Sequence, residues 1–330
     1  MEEQNLQERL EKRGISRRDF LKFCGLMTAA LALPASMTNQ VATAVAAAAR
    51  LPVVWLSFQE CTGDTESFLR SGYPSVTKIL LELISLNYHE TLMVPSGALA
   101  EKSLWDTVTN SRGAYVAVIE GAIPTAANGA YCTVGGRTAL SIAQQVCGSA
   151  RAVISVGACA TDGGWPGAAP NPTGAKGVMQ ALPNLTNVVN LPGCPMNVIN
   201  FSALLTYMLA NNRLPELDNY RRPMFAYGEE IHEECPRKDH YEEERFVLAW
   251  GDEGHKKGWC LYKMGCKGPR TKANCPEKKW NGGTNWPIGA GHGCIGCAAP
   301  RFWDTLTPVY VPLPDDGDDD DDDDAANNAN

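Results

Sequence analysis

The stretch LPVVWLSFQECTGDTES, residues 51–67, decides the fold and raises the functional question. Its first half is a short apolar run, the pattern of a strand buried on both faces. Its second half sets Cys61 and Asp64 where a metal-gripping loop would carry Cys-x-x-Cys. The loop is therefore a lost metal site, a metal site with a carboxylate oxygen as ligand, or a plain strand-to-helix turn.

Outward from there the same unit recurs. AYVAVIEG (114–121), AVISVGAC (152–159) and NVVNLPGC (187–194) are further apolar runs, and FLRSGYPSVTKILLELISL (68–86) carries a helix and a second strand. TALSIAQQVCGSA (138–150) and NVINFSALLTYMLANN (197–212) have helical spacing. Strands alternating with helices predict an α/β fold over residues 50–222, a flavodoxin-like doubly wound parallel sheet. Ligands of such sheets gather beyond the carboxyl ends of the strands. Cys61, Cys159 and Cys194 each follow an apolar run, so three thiols distant in sequence are expected on one edge, with Asp64 beside the first.

Beyond Arg222 the periodicity fades, and residues 223–305 are expected to form a mostly irregular second domain. The segment is polar and rich in Gly, Lys, Trp and Cys, so something other than a large apolar core must order it. One candidate donor set is His232, Cys235, Cys260 and Cys266, which suits either a cubane iron–sulfur cluster or a Cys₃His zinc site. A second is Cys275, Cys294 and Cys297, which suits a 3Fe–4S cluster, or zinc if His292 closes the set.

Residues 1–49 read as an address rather than as part of the fold. Arg17 and Arg18 precede Phe20 and Leu21, a weakly apolar middle is broken by Pro34, and an alanine-rich end leads to Arg50. That pattern resembles a twin-arginine export signal, a route taken by folded proteins with cofactors in place, and it favours cluster ligands over disulfides for the twelve cysteines. The nine aspartates between Asp315 and Asp324 exceed the whole net charge of −8, leaving the rest of the chain at +1. No basic face argues for nucleic acid. Residues 306–330 are expected to be a disordered acidic tail, serving solubility or a partner.

Seven segments then share one resemblance. WLSFQECTGDTES, VIEGAIP, GACATDGG, LPGCPMN, FAYGEEIHEEC, GDEGHKKGWCLYKMGCKGP and NCPEKKWNGGTNWPIGAGHGCIGC, in this order, resemble the small subunit of nickel–iron hydrogenase over roughly residues 50–305. The resemblance implies a relay of three iron–sulfur clusters. A proximal 4Fe–4S cluster would use Cys61, Cys159, Cys194 and position 64; a medial 3Fe–4S cluster Cys275, Cys294 and Cys297; a distal 4Fe–4S cluster His232, Cys235, Cys260 and Cys266. Pro287 lies where some relatives have a fourth medial cysteine. The nickel–iron centre would belong to the large subunit, so this chain would carry electrons during reversible hydrogen oxidation and hold no catalytic residue.

The implied partners are the large subunit, a cytochrome or other electron acceptor, and the twin-arginine translocase. The implied location is the periplasm or the outer face of the cytoplasmic membrane. Gly63 and Gly164 stand where oxygen-tolerant relatives add two cysteines, so a six-cysteine proximal cluster is not expected. No apolar span follows Pro312. Asp64 is expected to ligate the fourth iron through a carboxylate oxygen, against the alternative of a 3Fe–4S proximal cluster with Asp64 merely nearby. Glu60 and Glu120 flank the proximal loops and are expected to satisfy backbone amides or the subunit interface. Cys132 and Cys147 are expected to be structural thiols. Two other classes compete: an exported structural protein holding zinc or disulfides, and an electron-transfer subunit of the quinone-reductase type.

Overall fold

The computed structural model describes residues 16–72 and 75–314. Among the described residues two α-helices come first, α1 (Arg17–Ala30) and α2 (Thr38–Ala47). Five strands, β1 (Leu51–Ser57), β2 (Ile84–His89), β3 (Val116–Glu120), β4 (Ala152–Val156) and β5 (Val188–Leu191), then form one parallel sheet in the order β2-β1-β3-β4-β5. This is the flavodoxin-like order, with its switch point between β1 and β3. The register puts Ser57 opposite Glu120, Glu120 opposite Val156 and Val156 opposite Leu191, so four strands end on one straight edge.

Every residue of β3 and β4 is buried, because helices cover both faces of the sheet. These helices are α3 (Gly63–Leu69), α4 (Ala98–Asn110), α5 (Ala139–Cys147), α6 (Gly157–Asp162) and α7 (Val198–Asn211). One core joins Val53, Trp55 and Val118 to Phe68 of α3 and Phe201 of α7. The opposite core joins Val54, Leu56 and Ala117 to Leu104 of α4 and Ile142 of α5. The apolar run read as a strand to Cys159 stops at Val156. Gly157 takes φ +77° there and turns the chain into α6, which carries Cys159.

Residues 223–314 are irregular, as expected for 223–305; residues 306–314, expected in the disordered tail, pack on this segment instead, where the Lys267 ammonium donates to the Val311 carbonyl and the Tyr310 ring meets His292. Their longest described helix, Lys238–Glu242, has five residues, and isolated bridges such as Glu230 with Lys272 and Phe246 with Cys260 hold the rest. The buried side chains include Cys260, Cys266 and Cys294, so donors occupy positions that apolar residues would fill in an ordinary core.

The first helices depart from the expectation of an address lying outside the fold. α1 and α2 form a hairpin packed on α7. Phe20, Phe23, Cys24 and Met27 line one face of α1, and Val41, Ala42, Val45 and Ala46 line one face of α2. These spacings are those of amphipathic helices, so the modest hydrophobicity lies on the faces that pack. Pro34 lies in the turn between them, and Ser16 caps α1 by accepting from the Asp19 amide. No described helix is long and apolar enough to cross a membrane. The acidic run from Asp315 lies outside the described residues.

Candidate functional site

The straight sheet edge carries the first donor set. Cys61 follows β1, Asp64 opens α3, Cys159 sits in α6 after β4, and Cys194 follows β5. Glu120, at the end of β3, fixes the Cys61–Asp64 loop from below. Its carboxylate accepts from the Asp64 and Thr65 amides, each at 3.0 Å, from the Trp55 indole at 2.9 Å and from the Thr65 hydroxyl. Two amides at the start of α3 that have no partner inside the helix are thereby satisfied. Glu120 thus satisfies backbone amides, as expected. One Glu60 carboxylate oxygen accepts from the Thr62 hydroxyl at 3.4 Å, the other is buried without a hydrogen-bond partner among the described residues, and burial, then Glu120, pushes its pKa up to about 7.

Asp64 is buried, and its Oδ1 accepts from the Met196 amide at 2.6 Å. Its other oxygen lies over Gly157, where an added Cβ would come within 2.1 Å of Oδ2. One carboxylate therefore binds together the loops after β1, β4 and β5. Burial, then the charge of Glu120, pushes its pKa up to about 8. Burial likewise pushes the Cys159 and Cys194 thiols up to about 12. Such a set is unfavourable as bare anions and fits a positively charged group that keeps the donors deprotonated. A Cβ at Gly164 would lie 2.9 Å from the Cys159 sulfur, so that position has no room for a further side chain without movement.

His232, Cys235, Cys260 and Cys266 line one cavity with Arg237, Tyr262 and Ile288. Arg237 was not singled out from the sequence. Its amide donates to the Cys235 sulfur at 3.5 Å and its guanidinium to the Trp259 carbonyl at 2.8 Å. The His232 ring meets Tyr241 edge-on at 4.7 Å. Burial pushes the Cys260 thiol up to about 11 and raises those of Cys235 and Cys266.

Cys275, Cys294 and Cys297 lie between these two sets. The Trp280 side chain lies beside Cys275 and opposes the rise that burial causes in its thiol, and the Gly296 amide donates to the Cys294 sulfur at 3.4 Å. On one side the Cys294 amide donates to the Cys266 sulfur at 3.3 Å. On the other the Cys297 thiol lies close enough to Cys194 to add to the rise that burial causes in the Cys194 thiol. The three sets are therefore spatial neighbours. Pro287 offers no donor and is flanked by buried Trp286 and Ile288.

His292 faces away from the thiols. One ring nitrogen donates to the Gly293 carbonyl at 2.8 Å, the other lies 3.2 Å from the Tyr310 hydroxyl, and the ring stacks on Trp250. All twelve cysteines are free, and among the described residues no three of His, Cys, Asp or Glu are grouped as a single metal ion requires. Cys147, the last residue of α5, is buried in the core, and Cys132 packs partly buried against the same core.

Residues 227–310 match the C-terminal family of NiFe/NiFeSe hydrogenase small subunits. Over 305 residues the chain is 47% identical to the periplasmic [NiFe] hydrogenase small subunit 1 of Nitratidesulfovibrio vulgaris, spanning 92% of this chain and 96% of that protein. The chain belongs to the nickel–iron hydrogenase small-subunit family. The quinone-reactive Ni/Fe-hydrogenase small chain of Wolinella succinogenes is 45% identical over 92% of this chain and 86% of its own length. A reduced, active Ni-Fe-Se hydrogenase from Desulfomicrobium baculatum has a chain that aligns with TM-score 0.75 and 35% identity, over 80% of this chain and all of that one. Residues 61–208 also match the NADH ubiquinone oxidoreductase 20 Kd subunit family, which accounts for the quinone-reductase likeness of the first domain. The hydrogenase match over 227–310 covers the part that distinguishes the two readings.

As a hydrogenase small subunit, the chain is the electron-transfer part of the enzyme. The family implies iron–sulfur clusters here and the nickel–iron site on the large subunit with which small subunits pair. Its relatives include periplasmic hydrogenase small subunits.

Proposed function

We propose that Cys61, Asp64, Cys159 and Cys194 hold a proximal 4Fe–4S cluster, Cys275, Cys294 and Cys297 a medial 3Fe–4S cluster, and His232, Cys235, Cys260 and Cys266 a distal 4Fe–4S cluster. The observation that carries this reading is that neighbouring sets adjoin, with the Cys294 amide donating to the Cys266 sulfur and Cys297 lying near Cys194. When bound, such clusters supply one-electron redox chemistry between the large subunit and an external acceptor. The chain's own residues position and tune them. Backbone amides of Arg237 and Gly296 donate to cysteine sulfurs, which stabilises the more reduced, more negative form. Burial of Cys294 keeps water from that medial donor.

Asp64 has a definite part in this reading. Its Oδ1 is committed to the Met196 amide, leaving Oδ2 as the oxygen for iron. An oxygen ligand is harder than a thiolate, favours the ferric state and makes that iron more exchangeable. The test is Asp64→Cys in the assembled enzyme, followed by redox titration and EPR of the proximal signal. A shifted potential and a less exchangeable iron support ligation. An unchanged potential and cluster type rule it out and leave Asp64 as a brace between loops.

The acceptor, a cytochrome or another redox protein, would meet the distal end, where His232 and Cys235 lie outside the deepest core. Residues 1–49 would be the twin-arginine leader, delivering the folded chain and its partner to the periplasm or the outer membrane face. Replacing Arg17 and Arg18 with lysine would then stop export while leaving cluster content intact.

A further inference from the structure

The N-terminal hairpin is an integral layer of the folded chain. α7 is buried around almost its whole circumference, with Asn200 to Thr206 and Met208 all inaccessible. Phe201 points to the sheet, meeting the Trp55 ring edge-on at 5.5 Å. The hairpin of α1 and α2 packs on α7 as well, and Ala203, Leu204 and Met208 share one core with Phe20, Met27 and Val45. On α1 the facing residues recur at helical spacing: Phe20, Phe23, Cys24, Met27, then Ala30 and Leu31. The outward face carries Arg18 and Lys22 in solvent.

A second contact comes from elsewhere in the chain. The Lys278 ammonium donates to the Ala29 carbonyl at 3.0 Å, near the C-terminus of α1. The Ala29 carbonyl also accepts from the Ala32 amide at 3.1 Å, and the negative end of the helix dipole makes this a favourable place for a cation. Lys278 closes the short helix that begins at Cys275, so the docked hairpin touches the element bearing a medial donor.

We propose that the leader is bound in cis by the outer face of α7 and by Lys278, and that this docking masks the export motif. The proposal rests on reading residues 1–49 as a twin-arginine leader. The two halves of that motif are treated differently by the fold. Arg18 is exposed, while Phe20, two residues on, is only 2% accessible. A translocase receptor that must grasp the apolar residues behind the arginines meets them only after the hairpin leaves α7. Release would also uncover the outer side of α7, so docking protects an apolar surface on the precursor until export.

The test uses the full-length precursor with its clusters and large subunit. Hydrogen exchange over residues 17–47 is compared with the same chain cut at a protease site introduced after residue 49. Docking predicts exchange at least about tenfold slower in the intact precursor. Equal, fast exchange in both overturns the proposal. Met27→Asp buries a charge in the docking face and is expected to abolish the protection and to speed crosslinking of the leader to the translocase receptor. Lys278→Ala tests the second contact without altering the leader, and should raise exchange around Ala29 while leaving the rest of the fold protected. Protection lost in Met27→Asp with no gain in receptor crosslinking overturns masking. If lysines at positions 17 and 18 leave export unchanged, the leader reading fails and masking with it, while the exchange data still report docking separately.

Discussion

The amide of Cys294 donates to the sulfur of Cys266 at 3.3 Å, and the next residue, Lys267, returns an amide to the Cys294 carbonyl at 2.7 Å. This reciprocal pair makes Cys266 common to two environments, the distal set it belongs to and the medial set it supports. Cys266→Ala is therefore expected to remove the distal cluster and also to alter the medial EPR signal. Cys235→Ala, whose sulfur accepts from Arg237 instead, should disturb the distal signal alone. Identical effects of the two changes on the medial signal would contradict the coupling.

Gly157 is where the proximal loops meet. A methyl group there would fall within 2.1 Å of Asp64 Oδ2, and the backbone sits at φ +77°. Gly157→Ala is expected to expel the Asp64 carboxylate from Met196 and destabilise the chain by more than about 2 kcal/mol in denaturant unfolding. Gly251→Ala is the control, because φ is +81° but the space around it is open. That change should cost only about 1–2 kcal/mol from backbone strain.

Glu120 is buried and serves four donors, two of them backbone amides of the loop that presents Asp64. Glu120→Gln keeps the shape but removes a charged acceptor. The expected loss is about 1.5–3 kcal/mol, with faster hydrogen exchange at Asp64 and Thr65. A change within about 0.5 kcal/mol would show that the loop is held by other contacts.

In the donor set proposed for the distal cluster, the His232 imidazole stands where a thiolate could. His232→Cys adds negative charge to the donor set and is expected to lower the distal potential in a redox titration. The Tyr241 ring, edge-on to His232 at 4.7 Å, would lose its partner, so Tyr241→Leu in the wild type gives the packing contribution separately.

The strands were legible because burial on both faces leaves long apolar runs, and the cysteines ending those runs foretold one edge. The helix Ala98–Asn110 was not assigned, since only Leu104 and Thr107 are buried and its apolar stripe is thin. Spacing located Asp64 beside Cys61, but its contacts to Met196 and Gly157 come from loops about 90 to 130 residues away, which no local pattern encodes. Arg237 escaped notice for the same reason, as its place in the distal cavity depends on the fold of an aperiodic segment. The amphipathic faces of the N-terminal hairpin were hidden in low average hydrophobicity, and a stripe alone does not name the helix it packs on.

The most direct test of the three-set relay is the metal and sulfide content of the anaerobically purified enzyme, read alongside EPR. Donor sets of four, three and four predict a brown protein with about eleven irons on this chain and matching acid-labile sulfide, with a 3Fe–4S signal among its spectra. A colourless preparation carrying zinc and no sulfide would contradict the account.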